Sequence, residues 1–274
     1  GCCGSGTAWV SGSGSARVMI AFVFFIVGSV WGSLDATYWW GWSKFGRFSM
    51  IETFGYFGAI VATLAILGAI AAFTIWRELK VNGELETFKG PDDPFVHKLI
   101  YGPWSPYMGA IIMGVLTGLV VIVTMQPWGI TFGYTLYGVK ILTALGFDVT
   151  TWTGTLGTTP FWGMGWAKAA IAEPFWQNNA ANMNIGIILG AALAAGLVGK
   201  WHPSLKGIPM MSLVAAAIGG ILMGYGARIS TGCNIGAMVN GIASGSLHGW
   251  VWMAAAFVGT MAGTKLRPLF RIAD

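Results

Sequence analysis

Charge is scarce in this sequence. Asp, Glu, Lys and Arg make up 9% of its 274 residues, where a soluble domain carries roughly 25%. A water-soluble globule of this length needs far more charge to cover its surface, so soluble enzyme folds and disordered regulators are excluded. Cysteine is scarce as well: Cys2, Cys3 and Cys233 are the whole set. An odd number spread over the chain is not a disulfide framework. No CxxC pair exists, and His97, His202 and His248 have no metal-ligand spacing with the cysteines. GxSxG, HExxH and a Walker A loop are all missing. Gly224-Tyr225-Gly226 starts a dinucleotide pattern but lacks its third glycine and a preceding strand. An enzyme, a metal and a cofactor are therefore not expected. Alternating strands of about ten residues are also missing, which excludes a transmembrane barrel. No signal peptide or polybasic start is present.

What remains is apolar. Hydrophobic residues are 55% of the chain, and the mean hydropathy is +0.68. Six stretches approach the roughly 20 residues that cross a hydrocarbon core: about Val18–Leu34, Ile51–Trp76, Pro106–Gln126, Met183–Gly199, Pro209–Ala227 and Leu247–Thr264. Two weaker ones contain charge: Gly129–Gly146 with Lys140, and Thr159–Trp176 with Lys168 and Glu173. The fold class is all-α, a polytopic membrane protein of about six full spans plus re-entrant or broken helices, with residues 1–274 as one membrane domain. Gly pairs at GxxxG spacing suit close helix packing in lipid: Gly28/Gly32, Gly114/Gly118, Gly186/Gly190, Gly220/Gly224 and Gly259/Gly263. They imply a tightly packed bundle. The clusters Tyr38–Trp42 and Trp162–Trp166 fit aromatic belts at the membrane–water interfaces.

The net charge of +5 lies between apolar runs rather than in an aromatic-interleaved basic patch, so nucleic acid is not a partner. Residues 78–104 read as a hydrophilic loop, placed in the cytoplasm by the positive-inside rule together with Lys200, Lys206, Lys265, Arg267 and Arg271. The Trp-rich segment near Asp35–Arg47 then reads as an outer loop, despite Lys44 and Arg47.

An internal repeat is present. At an offset of 231, Ser13-Gly14-Ser15 meets Ser244-Gly245-Ser246, Val27-Gly28 meets Val258-Gly259, and Gly32 meets Gly263. An offset of 230 suits the front, where Cys3-Gly4-Ser5-Gly6 meets Cys233-Asn234-Ile235-Gly236 as a shared CxxG. A one-residue slip joins the two frames and leaves Cys2 or Cys3 as the counterpart of Cys233; the shared glycine favours Cys3. Residues 1–34 read as the end of the first Gly-Cys repeat and 183–264 as the second. The second copy has lead-in spans and the first has none, which reads as a chain with spans upstream of Gly1. The topology makes the repeats inverted, a recurrent transporter arrangement in which broken helices line the path.

Gly226-Ala227-Arg228-Ile229-Ser230-Thr231-Gly232-Cys233-Asn234-Ile235-Gly236 resembles the signature of the YeeE/YedE family of sulfur-compound transporters. Cys3-Gly4-Ser5-Gly6 resembles its first copy, and Pro127–Thr131 and Asn184–Gly190 are similar to that family too. The resemblance implies a multi-pass protein of the bacterial inner membrane that imports thiosulfate or a related small sulfur anion past cysteines. It also implies a cytoplasmic sulfur-carrier protein as a partner, beside membrane lipid. The Cys2-Cys3 pair departs from the usual Gly-Cys, which puts the role of Cys2 in question.

The residue types suit such a path. A thiol is a weak donor and a soft group that can meet a terminal sulfur atom. Nearby glycines let backbone N–H groups face an anion. The candidate pathway residues are Cys3, Cys233, Cys2, Arg228, Gly4, Gly6, Gly232, Asn234 and Gly236. A lone cysteine reads first as a small buried hydrophobe; the presence of cysteines in both repeat copies reverses that reading for Cys3 and Cys233 and leaves Cys2 evenly balanced. Arg228, five residues before Cys233, reads either as a cation that attracts the anion or fixes the Gly-Cys turn, or as an interfacial Arg that snorkels to the headgroups. Two other functions compete with transport: a sulfur-handling thiol enzyme with a cysteine nucleophile, and a structural subunit of a larger membrane complex.

Overall fold

The computed structural model describes residues 3–42, 46, 48–85, 94, 97, 102 and 104–270. Cys2, Lys44, Arg47, Arg271 and most of the hydrophilic 78–104 segment, including Lys89 and Lys98, lie outside the described residues. Helices dominate: α1 Gly4–Gly12, α2 Ala16–Trp40, α3 Met50–Asn82, α4 Pro106–Thr124, α5 Ile130–Ala144, α6 Gly165–Ala172, α7 Asn179–Leu197, α8 Met210–Ile229, the short α9 Asn240–Ala243 and α10 Leu247–Leu266. A π-helical turn, Asn234–Val239, leads into α9. No strand is present among the described residues beyond one isolated bridge, Ser49 to Ser246. Five helices are long and apolar enough to cross a membrane: α2, α3, α4, α7 and the continuous stretch Met210–Ala243. The sixth expected span forms α10, of 20 residues.

The helix ends follow local chemistry. Ser49 and Glu52 stand at capping-box spacing, and the Ser49 hydroxyl accepts from the Glu52 N–H at 3.3 Å. Ser105 caps α4 in the same way at Met108, 3.2 Å, with Pro106 in the first turn. Asn178 caps α7 through the Ala181 N–H at 3.0 Å.

The chain divides into two compact units. One holds Arg47–Pro127 and Ile242–Leu247, the other holds the rest. In the first, α3 and α4 carry their apolar side chains outward, with Tyr56 77% and Phe57 81% exposed. The Met50 N–H bonds to the Gly245 carbonyl at 2.8 Å, which ties the start of α3 to the Ser-Gly-Ser turn.

The second unit is built on α2 and α8. Gly28 and Gly32 of α2 lie against the backbone of Ile221 and Tyr225, while Gly220 and Gly224 of α8 lie against that of Ala21 and Phe25. Two GxxxG motifs thus interlock backbone to backbone. The other three pairs do not serve this purpose: a side chain at Gly114, Gly118, Gly186, Gly190, Gly259 or Gly263 would meet open space among the described residues. Close backbone approach is thus made at some glycines and not at others that share the same spacing.

Helix α5 corrects the hydropathy reading of its segment. Its Thr, Tyr and Gly residues lower the mean hydropathy, yet Thr131, Gly133, Tyr134, Thr135, Leu136, Gly138 and Val139 are all buried. Gly133 admits α7, where an added Cβ would meet the Ala180 carbonyl at 2.8 Å. The Lys140 ammonium donates to the Ile171 and Glu173 carbonyls at 2.7 and 2.6 Å, closing the C-terminus of α6.

Two aromatic segments also differ from the belt reading. Trp162 is fully buried and donates to the Ser33 hydroxyl at 2.8 Å. Asp35 to Trp40 form the last turns of α2 rather than a loop. Asp35 is itself buried and accepts from the Leu156 N–H at 2.8 Å, the Gly157 N–H at 3.1 Å, the Thr155 hydroxyl at 3.3 Å and the Tyr225 hydroxyl at 3.1 Å. Those bonds pin the 154–157 loop onto α2, and Gly154 and Gly157 leave room for the carboxylate and the α2 backbone.

Candidate functional site

The two Gly-Cys segments fold alike in local terms. Cys3 is the N-cap of α1, and Cys233 is the N-cap of the π-turn. The Thr7 N–H bonds to the Cys3 carbonyl at 2.8 Å, and the Ala237 N–H to the Cys233 carbonyl at 2.7 Å. These are pairs at an offset of 230. After the short helices, the Gly14 N–H bonds to Ser11 at 3.1 Å and the Gly245 N–H to Ile242 at 3.0 Å, pairs at an offset of 231. Both glycines are left-handed, φ +100 and +68, so each Ser-Gly-Ser makes the same kind of turn. The slip between frames falls on the π-turn, where the Met238 N–H reaches back five residues to the Cys233 carbonyl at 3.3 Å. A π-turn inserts one residue into a helix without ending it. Cys3 and Cys233 therefore occupy matching places in their segments.

These places meet in space. A Cβ added at Gly4 would lie 3.7 Å from the Cys233 Cβ, an ordinary contact distance, so the start of α1 packs directly against Cys233. The backbone N–H groups of Gly236, Ile235 and Ser5 are directed at the Cys233 sulfur. Cys233 is 2% exposed, while Cys3 is half-buried, its thiol 3.1 Å from the Ser5 hydroxyl. The surrounding cluster is Ala8, Phe25, Ile130, Tyr134 and Ile235, with Phe22, Ile26, Trp128, Tyr137, Ile187, Ile188, Met223 and Ala227 packed on it.

The remaining expected residues fall as follows. Gly232 is required by space, since an added Cβ would meet the Ala237 nitrogen at 2.6 Å. Before it, Thr231 holds φ +60, an unfavourable conformation for a β-branched residue, at the corner that delivers Cys233. Gly236 faces the Trp128 carbonyl, 3.7 Å from an added Cβ. Asn234 and Gly6 are half-buried on the two short helices.

Arg228 does not snorkel. It is 5% exposed, and its guanidinium lies over Phe161 at 4.8 Å, Phe132 at 5.6 Å and Trp40 at 5.7 Å. Its Nε has no hydrogen-bond partner. Among the described residues this cation is held by aromatic faces, which stabilise it less than a carboxylate would.

Sequence reasoning missed Tyr134 and Asp35. Tyr134 is wholly buried at the thiol cluster, with a hydroxyl that has no partner. Nothing in the one-dimensional pattern separates it from Tyr137, whose hydroxyl donates to the Ala181 carbonyl at 2.6 Å.

The chain is similar in sequence to known proteins. The profile of the family described as "Sulphur transport" matches residues 1–262. The "Probable transporter YedE" of Escherichia coli is 30% identical over 183 residues, 65% of this chain and 42% of that protein. Its Salmonella typhimurium namesake is 30% identical over 174 residues, 62% of this chain and 40% of that protein. The "Thiosulfate transporter TsuA" of Spirochaeta thermophila is 25% identical over 258 residues, 92% of this chain and 68% of that protein. The matched part of this chain thus spans about two fifths of the YedE relatives, at 42% and 40%.

Proposed function

The chain belongs to the sulphur transport family, and from that premise we propose that it imports thiosulfate or a related small sulfur-containing anion across the bacterial inner membrane, along a path that passes Cys3 and Cys233. One observation carries the reading. Matching Gly-Cys segments, their cysteines 230 residues apart, bring the half-buried Cys3 segment against the buried Cys233, with backbone N–H groups turned toward the Cys233 sulfur. A terminal sulfur atom meets soft thiols there, and the N–H groups offset negative charge. Each contact is weak, which lets the anion leave as well as bind. Arg228, buried without a carboxylate, supplies positive potential along the same route.

The two Gly-Cys segments act as the broken, path-lining pieces of two repeats. Lipid covers the outward apolar faces of α3 and α4. On the cytoplasmic side the family resemblance implies a soluble sulfur-carrier protein as acceptor.

Uptake of sulfur-labelled thiosulfate tests the proposal, in cells lacking other importers and expressing the protein as its gene encodes it. Wild-type protein should support uptake, while Cys233→Ala and Cys3→Ala, inserted at normal levels, should lose it. Equal uptake by wild type and both variants would remove the thiols from the path. No uptake by wild type would remove thiosulfate as the substrate.

A further inference from the structure

We infer that Tyr134 is a third ligand of the anion at the thiol cluster, donating its phenolic hydrogen to an oxygen of the anion while the thiols take the sulfur end. The inference rests on the proposed function and adds a residue to it. Tyr134 is 0% exposed in the middle of α5. Its ring is held edge-on by Phe22 at 5.1 Å, Phe25 at 5.5 Å and Tyr137 at 5.9 Å, so it cannot swing to seek another acceptor. The hydroxyl has no hydrogen-bond partner, and both Cys3 and Cys233 lie close enough to interact with it electrostatically.

A buried hydroxyl without a partner loses its hydration and gains nothing in return. Phenylalanine would fill the same space without that loss. The next tyrosine on the helix, Tyr137, is provided for by the Ala181 carbonyl, whereas the Tyr134 hydroxyl is one of five buried polar atoms without a partner among the described residues. A second donor there is also without an acceptor: the indole Nε1 of Trp128, which packs on the same cluster. Two thiols, a phenol and an indole N–H can all donate, and none of the four groups is an anion. An anion with bare oxygens supplies strong acceptors for them. Hydrosulfide, which has no oxygen, lacks the acceptor assigned to the phenol. The donors are neutral, so they orient the anion without trapping it.

The test is Tyr134→Phe in the protein as its gene encodes it, measured by labelled-thiosulfate uptake and by thermal unfolding in detergent, beside wild type and Cys233→Ala. Loss of a hydrogen bond to a charged ligand should raise the thiosulfate KM about tenfold or more. The maximal rate should change less than KM, and the melting temperature should equal or exceed that of wild type. Competition by hydrosulfide should be unaltered. An unchanged KM in Y134F, with uptake lost in Cys233→Ala, would overturn the role of Tyr134 and leave the thiol path standing. A fall in melting temperature with a matching fall in inserted protein would overturn it too, by making the hydroxyl structural. Absence of thiosulfate uptake by wild type would overturn the underlying function along with it.

Discussion

The interlocked glycines of α2 and α8 give a sharp quantitative test. A methyl at Gly28 would fall inside contact distance of the Ile221 carbonyl oxygen, and one at Gly224 inside that of the Phe25 carbonyl oxygen. Both obstacles are backbone, so neither can rotate away. The helices would have to part by about 1 Å, and a gap of that size forfeits roughly a quarter to a half of each dispersion contact along the seam. Overpacking of a core costs about 1–3 kcal/mol, and a backbone obstacle belongs at the upper end. Gly28→Ala and Gly224→Ala should each lower the melting temperature in detergent by roughly 5–10 °C. The two changes separate the same pair of helices, so the double variant should fall short of the sum. Gly259→Ala is the control. It has the same GxxxG spacing but open space around it, and alanine is the better helix former by roughly 1 kcal/mol. Equal melting of Gly28→Ala and Gly259→Ala would refute the argument that contact geometry, not motif spacing, decides which glycines matter.

Three further outcomes are expected. Asp35→Ala strands the Leu156 and Gly157 N–H groups and the Tyr225 hydroxyl, costing about 3 kcal/mol. Asp35→Asn keeps the oxygen that serves both N–H groups and should lose less than half as much folded protein by size exclusion; wild-type melting in Asp35→Ala would contradict this. Thr231→Gly relieves a left-handed β-branched residue at φ +60, and should raise stability by about 1 kcal/mol; a lower melting temperature would mean that the threonine makes a contact worth more than its strain. Arg228→Met retains bulk for the aromatic cage but removes the charge, so thiosulfate uptake should fall about tenfold at constant inserted protein. A loss confined to the amount of folded protein would make Arg228 structural instead.

The long spans were legible because composition alone decides them. Lipid demands apolar runs of about 20 residues, and α2, α3, α4, α7 and α8 supply them. Helix α5 was not legible as a core element. Its Thr131, Thr135, Tyr134 and Gly138 face other helices rather than lipid, and a residue facing protein need not be apolar if its hydrogen bonds close locally. Thr135 does so with the Thr131 carbonyl at 2.8 Å. The glycine pairs were legible as spacing, but only the three-dimensional contacts separate Gly28/Gly32 from Gly259/Gly263. The slip between offsets 230 and 231 was visible in the letters. Its cause, a π-turn at Asn234–Val239, requires knowing which carbonyl each N–H chooses. Tyr134 was hidden for the same reason: a missing partner has no sequence signature.

Hydrogen-bond accounting also separates two kinds of buried polar residue in this chain. Asp35 is buried with donors on both of its oxygens, two backbone and two side-chain. It needs nothing further and acts as the peg for a loop. Tyr134 and Arg228 are just as deeply placed, yet the Tyr134 hydroxyl and the Arg228 Nε have no partner at all. Both are donors, and neither has an anionic side chain as hydrogen-bond or ion-pair partner among the described residues. A membrane interior penalises such vacancies more than water does. A fold that closes Asp35, Tyr137 and Trp162 with hydrogen bonds leaves the Tyr134 hydroxyl, the Trp128, Trp250 and Arg228 N–H groups and the Asn184 Oδ1 without a partner among the described residues. Four of these five groups can donate, and the proposed anion path draws on the Tyr134, Trp128 and Arg228 members of that set.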